Sequence, residues 1–244
     1  MLRDARMRFR LQTRPAVLFG AMFAAALLLL LPLRLVAGWA GLGDAGLSAR
    51  AVHGSVWLGT MDEAAAGGVA LGDLRARLSP LNLLLGRARV VVRARGDGPT
   101  AEGAVTVSRH SQGVDGVTAS LPAGAVFAPL PIAQLDLSDA SIRFDDGRCA
   151  RAEGRVRAVV TGDIAGVDLG GSMAGDARCD AGALLIPLRA AAGGAAIDLR
   201  LPGNGRFHAD LVVPGGDAAT IARLQLAGFQ ATPRGYTLSA EGRF

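Results

Sequence analysis

Two hydrophobic rhythms run along the chain. Residues 15–33, PAVLFGAMFAAALLLLLPL, form an apolar stretch without a charge, bounded by Arg14 and Arg34. As one helix rising ~1.5 Å per residue it would reach roughly 28 Å, about the hydrocarbon thickness of a bilayer, so it is predicted as a transmembrane helix. From Leu47 onward the period becomes two, broken at short intervals by Gly, Pro or Asp. That is the spacing of short strands joined by hairpin turns. LSARAV, SVWLGTMDEA, VALGDLRARL, ARVVVRARG, AEGAVTVSR and DGVTAS precede a proline-rich bridge, LPAGAVFAPLPIA. QLDLSDASIRF, RAEGRVRAVVTG, GVDLGGSMAG, GALLIPLRAA, AAIDLRLP and RFHADLVV follow it. In GDAATIARLQLAG, Ile221, Leu224 and Leu226 have helical spacing behind Asp217, which reads as a short helix with a capping carboxylate. FQATPRGYTLSAEGRF closes the chain as a hairpin turning at TPRG.

No helix of crossover length separates the strands, so the sheet is an antiparallel meander. The predicted fold is mainly β: an N-terminal transmembrane helix, then one long, twisted antiparallel sheet shaped as a trough or groove, with one short C-terminal helix. Residues 121–134 are where two sub-sheets would meet. The expected organisation is a basic N-terminus (1–14), the transmembrane helix (15–33), a linker (34–46) and a β domain (47–244).

Charge fixes the orientation. Residues 1–14 hold five arginines against Asp4, a net +4 of the chain's +5, so the following 230 residues carry only +1. A nucleic-acid binder would keep its positive charge on the folded body, and that class is excluded. Positive charge before an apolar helix stays in the cytoplasm, which places the body in the periplasm of a bacterium and the protein, single-pass, in its inner membrane. A signal peptide cleaved near Ala37 or Ala40 is the competing reading, with a shorter apolar region than is present here.

Candidate chemistry is sparse. Cys149 and Cys179, an even pair thirty positions apart, suit a disulfide in an oxidising compartment; two buried thiols are the alternative, and no C-x-x-C spacing suggests redox catalysis. His53, His110 and His208 are not spaced as metal ligands with Cys, Asp or Glu. GGSMAG lacks the spacing of a nucleophile elbow, and GDGPTAEG lacks the lysine and helix of a phosphate loop. Asp145 and Asp146 in RFDDG read as a hairpin turn. No catalytic set, cofactor or metal is expected, and the protein is read as a non-enzyme. An outer-membrane barrel is excluded because one tyrosine and two tryptophans cannot supply aromatic girdles. Paired arginines, Arg75 with Arg77, Arg87 with Arg89, Arg93 with Arg95 and Arg155 with Arg157, each share one strand face. Either they are cross-paired with carboxylates on a solvated face, or they form a basic strip for an acidic partner or phospholipid headgroups.

Residues 52–98 carry a recognisable order of phrases. Gly54, Ser55, Trp57 and Gly59 make a G-[ST]-x-W-x-G pattern, Leu78, Ser79 and Pro80 an L-S-P phrase, and Leu83 to Arg87, with Gly86, an LLLGR phrase. With the apolar helix before it, the cysteine pair and the closing GYTLSAEGRF, the chain resembles the type II secretion system protein N family, also called general secretion pathway protein N. That resemblance implies an accessory, non-enzymatic component of the secretion machine whose partners are other machine proteins and the inner membrane. Trp57 is expected on a strand as a core residue that seals the start of the sheet beside the membrane helix, with Gly54 and Gly59 admitting backbone close to its ring; a ligand stacked on its indole is the alternative. A single-pass anchor before a trough-like sheet is also similar to the β-groove modules of AsmA-like envelope proteins, which implies a second function, the binding or conduction of phospholipid.

Overall fold

The computed structural model describes residues 15–39, 46–67, 69–96, 100–122, 130, 132–164, 167–169, 171–191 and 193–243. The expected helix over 15–33 is corrected to two. α1 (Pro15–Leu29) and α2 (Leu33–Trp39) flank Leu30, Leu31 and Pro32. Pro32 has no amide hydrogen to continue the helix and disfavours helical backbone at Leu31. Leu31 accepts a hydrogen bond from the Val56 amide at 3.0 Å, and Pro32 bridges Ser55, so the break is used to dock on the sheet. Among the described residues no helix is long and apolar enough to cross a membrane.

The strands are β1 (Leu47–Ser48), β2 (Ala51–Gly54), β3 (Gly59–Ala66), β4 (Val69–Leu78), β5 (Ala88–Arg95), β6 (Ala101–Val107), β7 (Ser111–Pro122), β8 (Ile132–Asp145), β9 (Arg148–Val160), β10 (Asp163–Ile164), β11 (Val167–Asp168), β12 (Gly171–Asp176), β13 (Arg178–Asp180), β14 (Ala183–Ala190), β15 (Ala196–Leu201), β16 (Arg206–Val213), β17 (Gln230–Thr232) and β18 (Gly235–Arg243). Two further helices are α3 (Pro80–Leu84), between β4 and β5, and α4 (Ala218–Leu226). All but β10 and β11 join one antiparallel sheet of sixteen strands in the order β1-β3-β4-β5-β6-β7-β8-β9-β12-β14-β15-β16-β18-β17, with β2 paired to β3 and β13 to β14. Near-sequential order is what short hairpin connections dictate. The expected joint at 121–134 is corrected: Leu121 and Pro122 pair with Leu135 and Gln134, so the sheet is continuous there, and 123–129 and 131 of the bridge lie outside the described residues.

Register fixes the two faces. Leu78, Val90, Val105, Val114, Ile142 and Ala152 lie in one cross-strand row, and Arg89, Thr106, Gly113, Arg143 and Arg151 in a row of opposite orientation. The apolar face curls inward. Val105 on β6 and Leu201 on β15 line one cavity of about 400 Å³, whereas in a flat sheet these two strands, six places apart in the order, would stand roughly 29 Å from each other. Register shifts in β3, β6, β7 and β8 supply bulges that sharpen the twist. At one of them Gly154, at φ +119, lies so close to Ala140 that any side chain would collide with its backbone.

The core is one-sided along the strand order. Every member of the contiguous buried cluster falls between Leu130 and Ala240, including Met173, Leu188, Ile197, Phe207 and Leu211, with Leu224 of α4 and Phe229 beside them. Asp217 caps α4 as expected, accepting from the Thr220 amide at 2.9 Å. Buried apolar residues in β3–β7 are fewer and mostly alanine: Ala64, Leu74, Ala76, Ala104 and Ala119. The disulfide Cys149–Cys179 is formed, with Cα atoms 5.5 Å apart, and ties the start of β9 to β13. RFDDG turns the β8–β9 hairpin as expected, with Asp146 at φ 49 and Gly147 at φ 76, both left-handed as a tight two-residue turn requires.

Candidate interaction site

The first phrase of the family pattern folds as a turn. Ser55 and Leu58 exchange backbone hydrogen bonds at 3.1 Å, and the Leu58 amide also reaches the Ser55 hydroxyl. Val56 and Trp57 are therefore the tip of the β2–β3 hairpin, which corrects the expectation of Trp57 on an extended strand. Val56 is the buried residue here; Trp57 is half-buried and lies outside the main core, and Leu58 is exposed. The glycines serve other neighbours than the indole. A Cβ on Gly54, at φ +87, would collide with the Leu58 carbonyl, and one on Gly59 with the Leu33 side chain. The pattern G-S-x-W-x-G thus encodes a tight hairpin onto which the chain leaving α1 packs.

The second and third phrases also build one turn, between β4 and β5. Pro80 occupies the first position of α3, where a missing amide hydrogen costs nothing. Ser79 precedes it in extended conformation, its hydroxyl accepting from Asn82 Nδ2 at 2.9 Å and its amide donating to the Arg89 carbonyl. Gly86 ends the turn at φ +72, as a helix C-terminal glycine does. Ser79, Pro80 and Gly86 are therefore turn-formers, and what they present is a run of leucines. Leu81, Leu83, Leu84 and Leu85 are 73, 46, 84 and 75% exposed. The LLLGR phrase took in Leu83–Leu85 without predicting their exposure, although four leucines in five residues inside a Ser-Pro to Gly-Arg bracket are too few for a buried helix and wrongly phased for a strand. The two turns lie at the same end of the sheet, because Gly59 pairs directly with Ala76, four residues before Pro80.

The arginine pairs divide into two groups. Toward the middle of the sheet most are matched: Arg89 with Asp115 at 2.6 Å, Arg143 with Asp145 at 3.6 Å, Arg151 with Glu153 at 2.9 Å and Arg155 with Asp176 at 3.6 Å, whereas Arg157, opposite Asp136 in register, makes no ion pair among the described residues. The Arg151 hydrogen bond, then its charge, holds the Glu153 carboxyl below the ordinary carboxylate range. Arg75, Arg77, Arg87, Arg93 and Arg95 have no ion pair or hydrogen-bonded carboxylate among the described residues. Register even sets Arg75 opposite Arg93, a like-charge pair that destabilises unless an anion lies between. Arg87 also lines a shallow cavity of about 270 Å³ with Arg89, Arg143 and Arg151, beside the buried Thr106 Oγ1, which has no hydrogen-bond partner among the described residues.

The remaining expected residues fall apart as sites. His53, His110 and His208 are on separate strands or turns, each beside a carboxylate, and no group of metal-ligating side chains forms among the described residues. His208 stands between Asp210 and Glu241, both at 3.1 Å, on the outer face of β16 and β18. Sheet edges are unequal. At one end β1 and β2 are two and four residues long, short enough to offer little template. At the other, β17 covers only Gly235, Tyr236 and Thr237 of β18, and Leu238–Arg243 have no strand on that side among the described residues. Edge position depends on strand order, so nothing in the local sequence marks it.

The model of the family described as type II secretion system (T2SS), protein N, matches residues 45–239. The chain belongs to the type II secretion system protein N family. No curated relative and no solved structure matches it. The match takes in this protein N chain from just before β1 to Ser239 in β18, so the family's shared part is the sheet itself, with both motif turns, the cysteine pair and α4 inside it. Membership gives the chain an accessory role in type II secretion.

Proposed function

We propose that this family member is a non-enzymatic accessory component held in the bacterial inner membrane by its N-terminal apolar segment, with a cytoplasmic N-terminus and a periplasmic sheet that binds another component of the secretion machine. Support for the anchor is chemical. Val17, Phe19, Met22, Phe23, Leu27 and Leu30 are all more than half exposed around α1, and a helix without a polar face is compatible with lipid and not with water. The five arginines before it favour retention on the cytoplasmic side.

The observation that carries the binding role is the open edge of β18. Its six uncovered residues can accept a partner strand by main-chain hydrogen bonding, with Ser239 and Glu241 exposed for selectivity. A photocrosslinking amino acid at Ser239 or Glu241, in cells with an active secretion machine, is expected to capture a machine component. Capture at the matched outer face near Arg151, and none at 239 or 241, would refute the edge as the binding element.

A second reading has its own observation. The apolar cavity of about 400 Å³ is lined by Val105, Val107, Val114, Ile142, Phe144, Leu184 and Leu201, which suits acyl chains. Mass spectrometry of organic extracts of the purified chain decides it: stoichiometric phospholipid supports a groove that carries lipid, and a lipid-free protein supports the scaffold.

A further inference from the structure

We propose that the β4–α3–β5 hairpin is a second, peripheral contact with the same bilayer, its leucines entering the interface and its arginines engaging anionic phospholipid headgroups. The inference rests on the reading of α1 as the anchor and adds an orientation to it. Residues 69–95 hold six arginines against the single Asp73, +5 in all, which equals the net charge of the whole chain. Five of the six make no ion pair among the described residues; Arg95 stands opposite Asp73 and Arg93 opposite Glu102, but Arg93 also opposes Arg75, and Arg75 and Arg77 face no carboxylate in register. A surface that leaves like charges face to face is completed by anions from outside the chain. At ~3.3 Å per strand residue, Arg77 and Arg87 are the cations that come within about a Debye length, ~10 Å, of an anionic leaflet that α3 enters.

The leucines select a membrane over an acidic protein. Leu81, Leu83, Leu84 and Leu85 project from a turn of one short helix that buries none of its own residues. Apolar tips beside cations are how peripheral segments bury themselves at the boundary between headgroups and acyl chains. Position agrees. The Val56 amide binds the Leu31 carbonyl just past α1, Gly59 abuts Leu33, and Gly59 pairs with Ala76 on the strand that leads into α3. Trp57 and Leu58 lie between the two, where an amphipathic indole suits the interface. Two contacts separated by two strands hold a sheet at a set tilt, whereas one flexible attachment does not.

The test uses the full chain, whose native cysteines are paired and do not react with thiol labels. Leu84→Cys, at a residue 84% exposed, carries an environment-sensitive fluorophore. Phe19→Cys in α1 and Leu226→Cys in α4, 72 and 89% exposed, are labelled for comparison. Each is reconstituted in vesicles of phosphatidylcholine with brominated acyl chains, with and without phosphatidylglycerol. The Leu84 probe is expected to be quenched and blue-shifted, less so without phosphatidylglycerol and less so when Arg77 and Arg87 are changed to Gln, while the Leu226 probe stays in water. An unquenched Leu84 probe beside a quenched Phe19 probe overturns the second contact and leaves the anchor standing. A quenched Leu84 probe beside an unquenched Phe19 probe supports the contact and overturns the anchor. A Leu84 probe that ignores lipid and responds to an acidic partner protein makes the hairpin a protein-docking site and overturns the proposal.

Discussion

Replacing both Cys149 and Cys179 with serine removes the one covalent tie in the sheet. The bond closes a loop of thirty residues, and in the chain-entropy description its loss returns about 3.6 kcal/mol of disorder to the unfolded state at 25 °C. Little is lost on the folded side. The Cys149 amide still donates to the Gly182 carbonyl at 2.8 Å, and Arg178, Cys179 and Asp180 remain paired with β14, so the strands keep their places without the sulfur atoms. In urea unfolding followed by circular dichroism, the double variant is expected to be less stable by about that amount, with a melting point lower by roughly 10 °C for a body of this size. Wild-type chain treated with reductant should coincide with the variant. A double variant within about 1 kcal/mol of the oxidised wild type would refute the reasoning, because it would mean the unfolded chain holds these segments together without the bond.

Three further outcomes follow from particular contacts. Leu211→Ala on β16, at a fully buried position in the main cluster, is expected to lose about 3 kcal/mol in the same urea assay. Gly175→Ala on β12 drives a Cβ into the Pro187 carbonyl of β14, and since backbone cannot swing aside the loss should be about 2 kcal/mol, whereas the same change at the open Gly20 of α1 should cost nothing measurable. Asp198 tests pH dependence: partial burial pushes its carboxyl up, but hydrogen bonds from Arg189 and Arg234, at 2.8 and 2.7 Å, and their charges outweigh this and hold it below the ordinary value. Its contribution is then present above about pH 4 and lost as pH falls through the lowered folded value, so the stability gap between wild type and Asp198→Asn should be open at neutral pH and close in acid.

Strand positions were legible because alternation is a local property. VALGDLRARL is β4 to the residue, and ARVVVRARG gives β5 with one residue to spare. The Asp217 cap and the turns at DDG and TPRG were equally plain, each written in two to four residues whose conformational preferences leave little choice. Trp57 was misplaced because its size suggested burial, whereas Gly54 and Gly59 had already set a turn two residues wide around it. The helix over 15–33 was overdrawn for a similar reason: an apolar run says that lipid or core surrounds a segment, and Pro32 alone says where the helix stops. The unmatched arginines and the open side of β18 could not be read at all, since both depend on which strands become neighbours, and neighbour relations arise only when the whole sheet is assembled.

The division of labour along the sheet follows from which residues fill the inward positions. In β14, β15 and β16 these are Leu, Ile, Phe and Val, closed over by Leu224 and Phe229, and each large side chain removed from water contributes roughly 1.5–3 kcal/mol. In β3 to β6 the same positions hold Ala, Gly, Leu and Val with less burial, so those strands depend on main-chain pairing and on being continuous with the packed end. A region stabilised this way can tolerate unmatched charge, because few close-packed contacts need to be defended against a shift of a strand. The disulfide joins the start of β9 to β13, with Cys149 partly buried against the packed cluster. The open edge of β18 belongs to the packed end, since Phe207, Ala209, Leu211 and Val213 of the neighbouring β16 and Ala240 of β18 itself are in the buried cluster, so a strand added there as proposed would extend the better-buried half of the sheet.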